Sequence, residues 1–256
     1  MFISRLFNKK EKQKTEEIIY CNNIYIKDNL SDKEKFDNIM SLAKEIIDNY
    51  SYDYNHDHPI LDFIRILGRR IQSDYMGYLL YSGKEENSTR DLEPREAMFP
   101  IYKVTRDEDG NYIKIDSLID IIEYDRKINI STDLILPWPW RRDRIYNCLT
   151  NIGKGREWGI WKQDDYNHWV NVWLPMGIAW VGGGNHSITV GIVQGGELKP
   201  EYYSDISRIY KYIECDGENF RHTYGGEVLS KVKSPEFAAI FEIGRIMCEK
   251  GISFIN

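Results

Sequence analysis

The stretch Val181-Gly-Gly-Gly-Asn-His-Ser-Ile-Thr-Val-Gly-Ile-Val193 decides how the second half of this chain folds. Three glycines leave an apolar run, and Asn185, His186 and Ser187 can each cap a helix and donate to an anion. A helix starting near His186 or Ser187 would aim its free N–H groups, with the glycine backbone, into a concave anion site suited to phosphate. Against it, Ile188–Val193 is β-branched and carries Gly191, both unfavourable to a helix, so composition leans towards a hairpin. Both readings stand, and the phosphate reading depends on the helix. The motif is neither G-x-G-x-x-G nor a Walker loop.

Upstream, Gly177–Val181 reads as a strand. Gly159–Lys162 and His168–Leu174 surround Gln163-Asp-Asp-Tyr-Asn167, where alternating Trp169, Asn171 and Trp173 predict a two-faced hairpin. Before it, Pro137-Trp-Pro-Trp140 stops regular structure, and Ile145, Cys148, Leu149 and Ile152 mark a short helix closed by Gly153. Arg141, Arg142 and Arg144 crowd the start of that helix against its macrodipole, a mild conflict that a bound anion would relieve. All seven tryptophans lie between Trp138 and Trp180. Such a concentration builds a core around a small sheet, or lines a groove that stacks a base or sugar; core packing with one or two at a site mouth is the plainer expectation.

Further out, Ser31-Asp-Lys-Glu34 has capping-box spacing, and Phe36, Ile39, Met40, Ala43, Ile46, Ile47 and Tyr50 continue it as an apolar helical stripe. His56-Asp-His-Pro59 opens a second helix with Leu61, Ile64, Leu67, Ile71, Tyr75 and Tyr78 on one face. Two histidines at a helix start are usually solvated or capping, although Asp53 or Asp57 would complete a metal set. Phe99–Thr105 and Tyr112–Ile115 predict a hairpin around Asp107–Gly110. Ile206–Glu214 and Phe220–Thr223 continue as a meander with turns at Asp216-Gly217 and Gly225-Gly226. Ser234, Pro235 and Gly251 bracket a closing helix. The division expected is an arm over 1–17, a helical region over 18–95 with a loop at 82–95, and an α+β domain over 96–256. The fold class is α+β: an N-terminal helical hairpin, a small mixed sheet with short helices, and a C-terminal helix.

The chain of 256 residues has 42% hydrophobic and 29% charged residues, which excludes disorder as its dominant state. A formal charge of -6 gives no nucleic-acid footprint over the whole molecule. Cys21, Cys148, Cys215 and Cys248 are far apart with no C-x-x-C pair, so neither a zinc knuckle nor a disulfide scaffold is indicated. No leader-type apolar segment and no spanning run occurs, which predicts a cytoplasmic protein without a membrane partner. No motif specifies a cofactor.

The stretches 136–153 and 167–196, followed by the Asp216-Gly217 turn, resemble an uncharacterised family of bacterial proteins of about this length that carries a domain-of-unknown-function label. The order of a proline–arginine entrance, a short helix, a strand pair and a strand running into a glycine loop and helix is also similar, more remotely, to the ParB/sulfiredoxin-like superfamily, whose G-x-x-R loop binds nucleotide phosphate. That resemblance implies that Gly183, Gly184, Asn185 and His186 occupy a phosphate loop. Ser187 stands where an arginine is usual, so Arg141, Arg142 or Arg144 would have to supply the positive charge. The catalytic cysteine of sulfiredoxin has no counterpart, and sulfinic-acid reduction is not expected.

The expected function is binding of a nucleotide or other phosphate ligand by Gly183–Ser187 and the arginine cluster, with Trp161 at the ligand. His186 and His168, with Asp164 beside the latter, are the candidates for acid–base chemistry, because imidazole titrates near neutrality. The rivals are a non-catalytic protein-interaction or immunity-type module, and a metal-dependent nuclease in which His168, His186 and an aspartate converge within about 2 Å of one point.

Overall fold

The computed structural model describes residues 29–51, 56–81 and 94–255. The arm expected over 1–17, Cys21, Asp53 and most of the 82–95 loop lie outside them. The chain divides into Met1–Ser31 and a compact unit Asp32–Asn256, to which every element below belongs.

The helical stripes read from sequence become α1 (Asp32–Asn49) and α2 (Pro59–Tyr81). Phe36, Met40, Ala43 and Ile47 are the buried side of α1; Ile60, Leu61, Ile64 and Leu67 are that of α2, whereas Tyr78 at the far end is exposed. Each large apolar side chain so buried contributes about 1.5–3 kcal/mol. His58 caps the helix start, its Nδ1 accepting the Ile60 N–H at 3.1 Å. A short α3 (Pro94–Met98) follows.

A five-stranded mixed sheet of order β3-β9-β6-β7-β5 forms the centre, from β3 (Asp120–Ile122), β5 (Ile135–Leu136), β6 (Val170–Leu174), β7 (Ile178–Val181) and β9 (Tyr202–Asp205). β6 and β7 run antiparallel with Asn171 opposite Trp180; β9 runs parallel to β6, with Tyr202 opposite Asn171. Trp173 and Trp180 pack against each other on one face of the sheet. Phe99 on Trp173, and Phe237 of the C-terminal helix α6 (Pro235–Lys250) on Trp180, extend that layer. Both α1 and α2 pack on α6 as well. Ser234 caps α6 by accepting the Phe237 N–H, and Gly251 ends it in the left-handed region with φ of 66°.

The peripheral strands are short. β1 (Val104–Arg106) pairs with β2 (Tyr112–Lys114), β4 (Ile128–Asn129) with β8 (Glu197–Leu198), and β10 (Ile213–Cys215), β11 (Asn219–His222) and β12 (Val228–Lys231) form a meander. Three strand expectations need correction. Phe99–Lys103 is turn, its Phe99 and Ile101 buried by packing rather than by pairing; Ser207–Lys211 is a 3-10 turn. Gly159–Lys162 pairs with no strand, because β6 finds its partners in β7 and β9 and Trp161 is instead sunk against Gly191.

The undecided stretch is a helix, α5 (Asn185–Gln194), beside α4 (Arg142–Asn151). Burial overrides local preference here. Ile188 and Val190 are fully or nearly fully buried, and Gly191 leaves room for the Trp161 ring, which a Cβ would approach to 2.8 Å.

Candidate functional site

The α5 N-terminus is gripped from two sides. On one, α2 holds the Pro137–Trp140 segment: Gln72 donates to the Pro137 carbonyl at 3.2 Å, Tyr75 to the Pro139 carbonyl at 2.9 Å, and the Tyr75 ring stands edge-on to Trp138. That segment then meets the helix start. Asn185 Oδ1 accepts the Trp138 N–H at 2.7 Å, and His186 Nε2 accepts the Arg141 N–H at 3.2 Å.

On the other side lies the 164–169 loop. The Asp164 N–H donates to His168 Nδ1 at 2.9 Å, so the ring proton resides on Nε2, which donates to Ser187 Oγ at 2.6 Å; the Ser187 hydroxyl in turn donates a hydrogen bond to the Gly184 carbonyl at 3.1 Å. His168 stacks on Trp161, ring centroids 5.2 Å apart. Gly182 and Gly183 both donate to the Trp169 carbonyl. The glycines are required by this packing: a Cβ on Gly183 would stand 2.5 Å from the Asn167 carbonyl oxygen, and one on Gly184 2.2 Å from the His168 ring.

These bonds sort the residues singled out from sequence. His168 is buried, with both ring nitrogens engaged, in the tautomer that gives a proton to Ser187 rather than taking one, which is a positioning arrangement. Burial pushes its imidazole down, opposed by the charges of Asp164 and Asp165. The Asp164 carboxylate is turned to the Tyr166 N–H. His186 is also buried, and burial together with the Arg144 charge holds it down at about 4, so it is neutral at physiological pH. With Nε2 accepting, its Nδ1 carries the proton. Among the described residues no three of His, Cys, Asp and Glu gather as a ligand set, and the nuclease geometry is not formed.

A cavity of about 410 Å³ opens at the helix start, lined by Gly183, Gly184, Asn185, His186 and Ser187 together with Arg144. Trp140 and the exposed Trp158 form further walls. The N–H groups of Gly184, Asn185 and His186 meet no acceptor among the described residues. Of the three arginines, Arg141 is engaged by Asp143 through its guanidinium, and Arg144 alone lines this cavity. Arg144 is exposed and makes no ion pair among the described residues.

A neighbouring cavity of about 460 Å³ holds Asp164, His168, Trp161 and the other side of Ser187. Trp161 lines this cavity and not the one that holds Arg144. A third, about 410 Å³, lies over the inner strands β6 and β7 at Asn171 and Trp180. The sequence analysis placed Asn171 on one face of a strand and Trp180 in the tryptophan-rich segment without assigning either to a site; their cross-strand pairing puts both on one face of the sheet. The three described cysteines, Cys148, Cys215 and Cys248, are free, and burial pushes each thiol up, Cys215 to about 12.

The molecule is thus an α+β protein with a mixed central sheet and a row of cavities around a clamped helix start. The sequence model of the DUF6710 family, a family of unknown function, matches residues 8–254, and the chain belongs to that family. No curated protein and no solved structure matches it. None of these comparisons supports the expected likeness to the ParB/sulfiredoxin-like superfamily. No helix among the described residues is long and apolar enough to cross a membrane.

Proposed function

We propose that this protein binds a phosphate-bearing ligand of the nucleotide class in the cavity at the α5 N-terminus, and that it does so without catalysing a reaction there. The observation that carries the reading is the coincidence of Arg144, without an ion pair among the described residues, and three unmet backbone N–H groups on one cavity. Both attract an anion: the amides through the helix dipole and hydrogen bonding, the guanidinium through charge and a fork that matches phosphate oxygens. A neutral His186 with a protonated Nδ1 adds a donor of no net charge. The remote likeness of the glycine loop to a nucleotide-phosphate loop agrees with this, with Arg144 of a neighbouring helix serving in place of the arginine that Ser187 replaces.

The reading without catalysis is supported by His168 and His186 being engaged in bonds that fix neighbouring groups. Calorimetric titration with pyrophosphate and ATP tests the reading. Binding that weakens at least about tenfold in Arg144→Ala, with partial recovery in Arg144→Lys, is expected. No heat of binding at millimolar ligand, or equal affinity in Arg144→Ala, would overturn it and favour the protein-interaction module.

A further inference from the structure

The cavity at the α5 N-terminus carries two features besides its amides and Arg144. The first is His186, which lines the cavity and is only 6% exposed. Its Nε2 accepts the Arg141 N–H, so the ring proton stands on Nδ1. That N–H meets no acceptor among the described residues, yet it is not sealed from solvent as Trp138 Nε1 and Trp180 Nε1 are. A buried ring that keeps one open, unspent donor on a cavity marks a place for an acceptor.

The second is Trp158. Trp138, Trp140 and Trp161 each pack on another ring, those of Tyr75, His186 and His168, whereas the Trp158 indole packs on none among the described residues and is 53% exposed. Its backbone is nonetheless fixed. The Trp158 N–H donates to the Asn151 carbonyl at the end of α4 at 2.8 Å, and the Gly153 N–H closes the loop on the Gly159 carbonyl at 2.6 Å. An indole held on a cavity wall without a partner ring is a stacking platform for a planar group, and binding does not have to order it.

Charge sets the rest of the ligand. Among the residues on this cavity Arg144 alone is ionised; Asn147, Cys148 and Asn167 complete the wall, and the neutral His186 adds no charge. One guanidinium matches one phosphate through its two-pronged fork. A second or third phosphate would add negative charge that no further cation on the cavity, and no metal-binding set among the described residues, balances.

We propose that the ligand of this cavity is a nucleoside monophosphate, with its phosphate on Arg144, the α5 amides and His186 Nδ1, and its base stacked on Trp158. The inference rests on the phosphate reading and adds to it the number of phosphates and the group that holds the base. A volume of about 410 Å³ lies within the range of about 300–1,000 Å³ usual for small-molecule sites.

The test is calorimetry of the full chain with AMP, ribose 5-phosphate and ATP. AMP and ribose 5-phosphate differ by the base, and AMP is expected to bind at least about fivefold more tightly. ATP should bind no more tightly than AMP. Trp158→Ala should abolish the advantage of AMP and leave the affinity for ribose 5-phosphate unchanged, with Trp158→Phe restoring part of it. An exposed side chain can be removed without unfolding the protein, and a melting temperature equal to the parent's checks this. Arg144→Ala should weaken both monophosphates. If AMP and ribose 5-phosphate bind equally, or if Trp158→Ala keeps their difference, the stacking is overturned, while dependence of both on Arg144 leaves the phosphate reading standing. ATP binding more tightly than AMP overturns the single-phosphate assignment. If neither monophosphate binds at millimolar concentration, or Arg144→Ala weakens neither, the phosphate reading itself falls and takes this inference with it.

Discussion

His186 stands edge-on to Trp140, with ring centroids 4.7 Å apart, while its Nε2 accepts the backbone N–H of the following residue, Arg141. One buried imidazole therefore ties the first turn of α5 to the lead-in of α4, and only its neutral form can accept that bond. Holding it down at about 4 from an ordinary 6.5 means that the unfolded chain binds the proton more readily than the folded one. Stability from this group is complete above about pH 6.5 and is lost as pH falls towards 4, by on the order of 3 kcal/mol in total. Urea denaturation between pH 7.5 and 4.5 should show that slope reduced in His186→Gln, whose side chain can still accept the Arg141 N–H. The other lowered histidines, including His58, His168 and His222, are common to both proteins and drop out of the comparison. Parallel curves would show that His186 is not the titrating group.

Arg144 is one cause of the low His186 value, so Arg144→Ala should raise the pKa of that imidazole, measured by NMR titration of its ring signals. The same substitution removes an exposed side chain without an ion pair among the described residues and should change stability by less than about 0.5 kcal/mol. A large loss of stability would mean that Arg144 is structural, and the anion site would lose its charge.

Gly184 and Gly155 both adopt positive φ, 74° and 78°, yet a Cβ at Gly155 meets nothing whereas one at Gly184 would enter the His168 ring. Gly155→Ala should cost about 1 kcal/mol, from the left-handed backbone alone. Gly184→Ala should cost more than about 3 kcal/mol, through the added collision and the displaced His168–Ser187 bond. Equal melting temperatures for the two variants would contradict the packing assigned to the glycine loop.

Glu242 of α6 is buried, accepts the Cys215 N–H at 2.7 Å and pairs with Arg245 at 2.7 Å. Arg245 in turn donates to the carbonyls of Tyr210 and Ile213. Glu242→Ala strands a partly buried guanidinium and should destabilise by about 3–5 kcal/mol, whereas removing both partners in Glu242→Leu/Arg245→Met should cost less than the single change. Chemical denaturation of the two proteins decides it; a double variant weaker than the single would sink the argument.

The sequence determined the elements whose signals are local. Periodic stripes and a Ser-Pro start with a glycine stop are enough to place α1, α2 and α6, because a helix buries one face and caps its own ends within a few residues. It also marked the glycine loop, the arginines and the tryptophan-rich segment as the region of interest. Which strand Gly159–Lys162 would pair with was not legible, since pairing depends on partners distant in sequence and β6 found better ones in β7 and β9. Nor was α5. Residues 188–193 prefer an extended chain by themselves, and become helical because Gly191 admits Trp161 and because Trp138, Arg141 and His168 together hold Asn185, His186 and Ser187 in place. The tertiary structure alone decided which groups the two histidines bond and which cavities lie beside them. Which side chains face an empty space is fixed only when segments remote along the chain have been packed together.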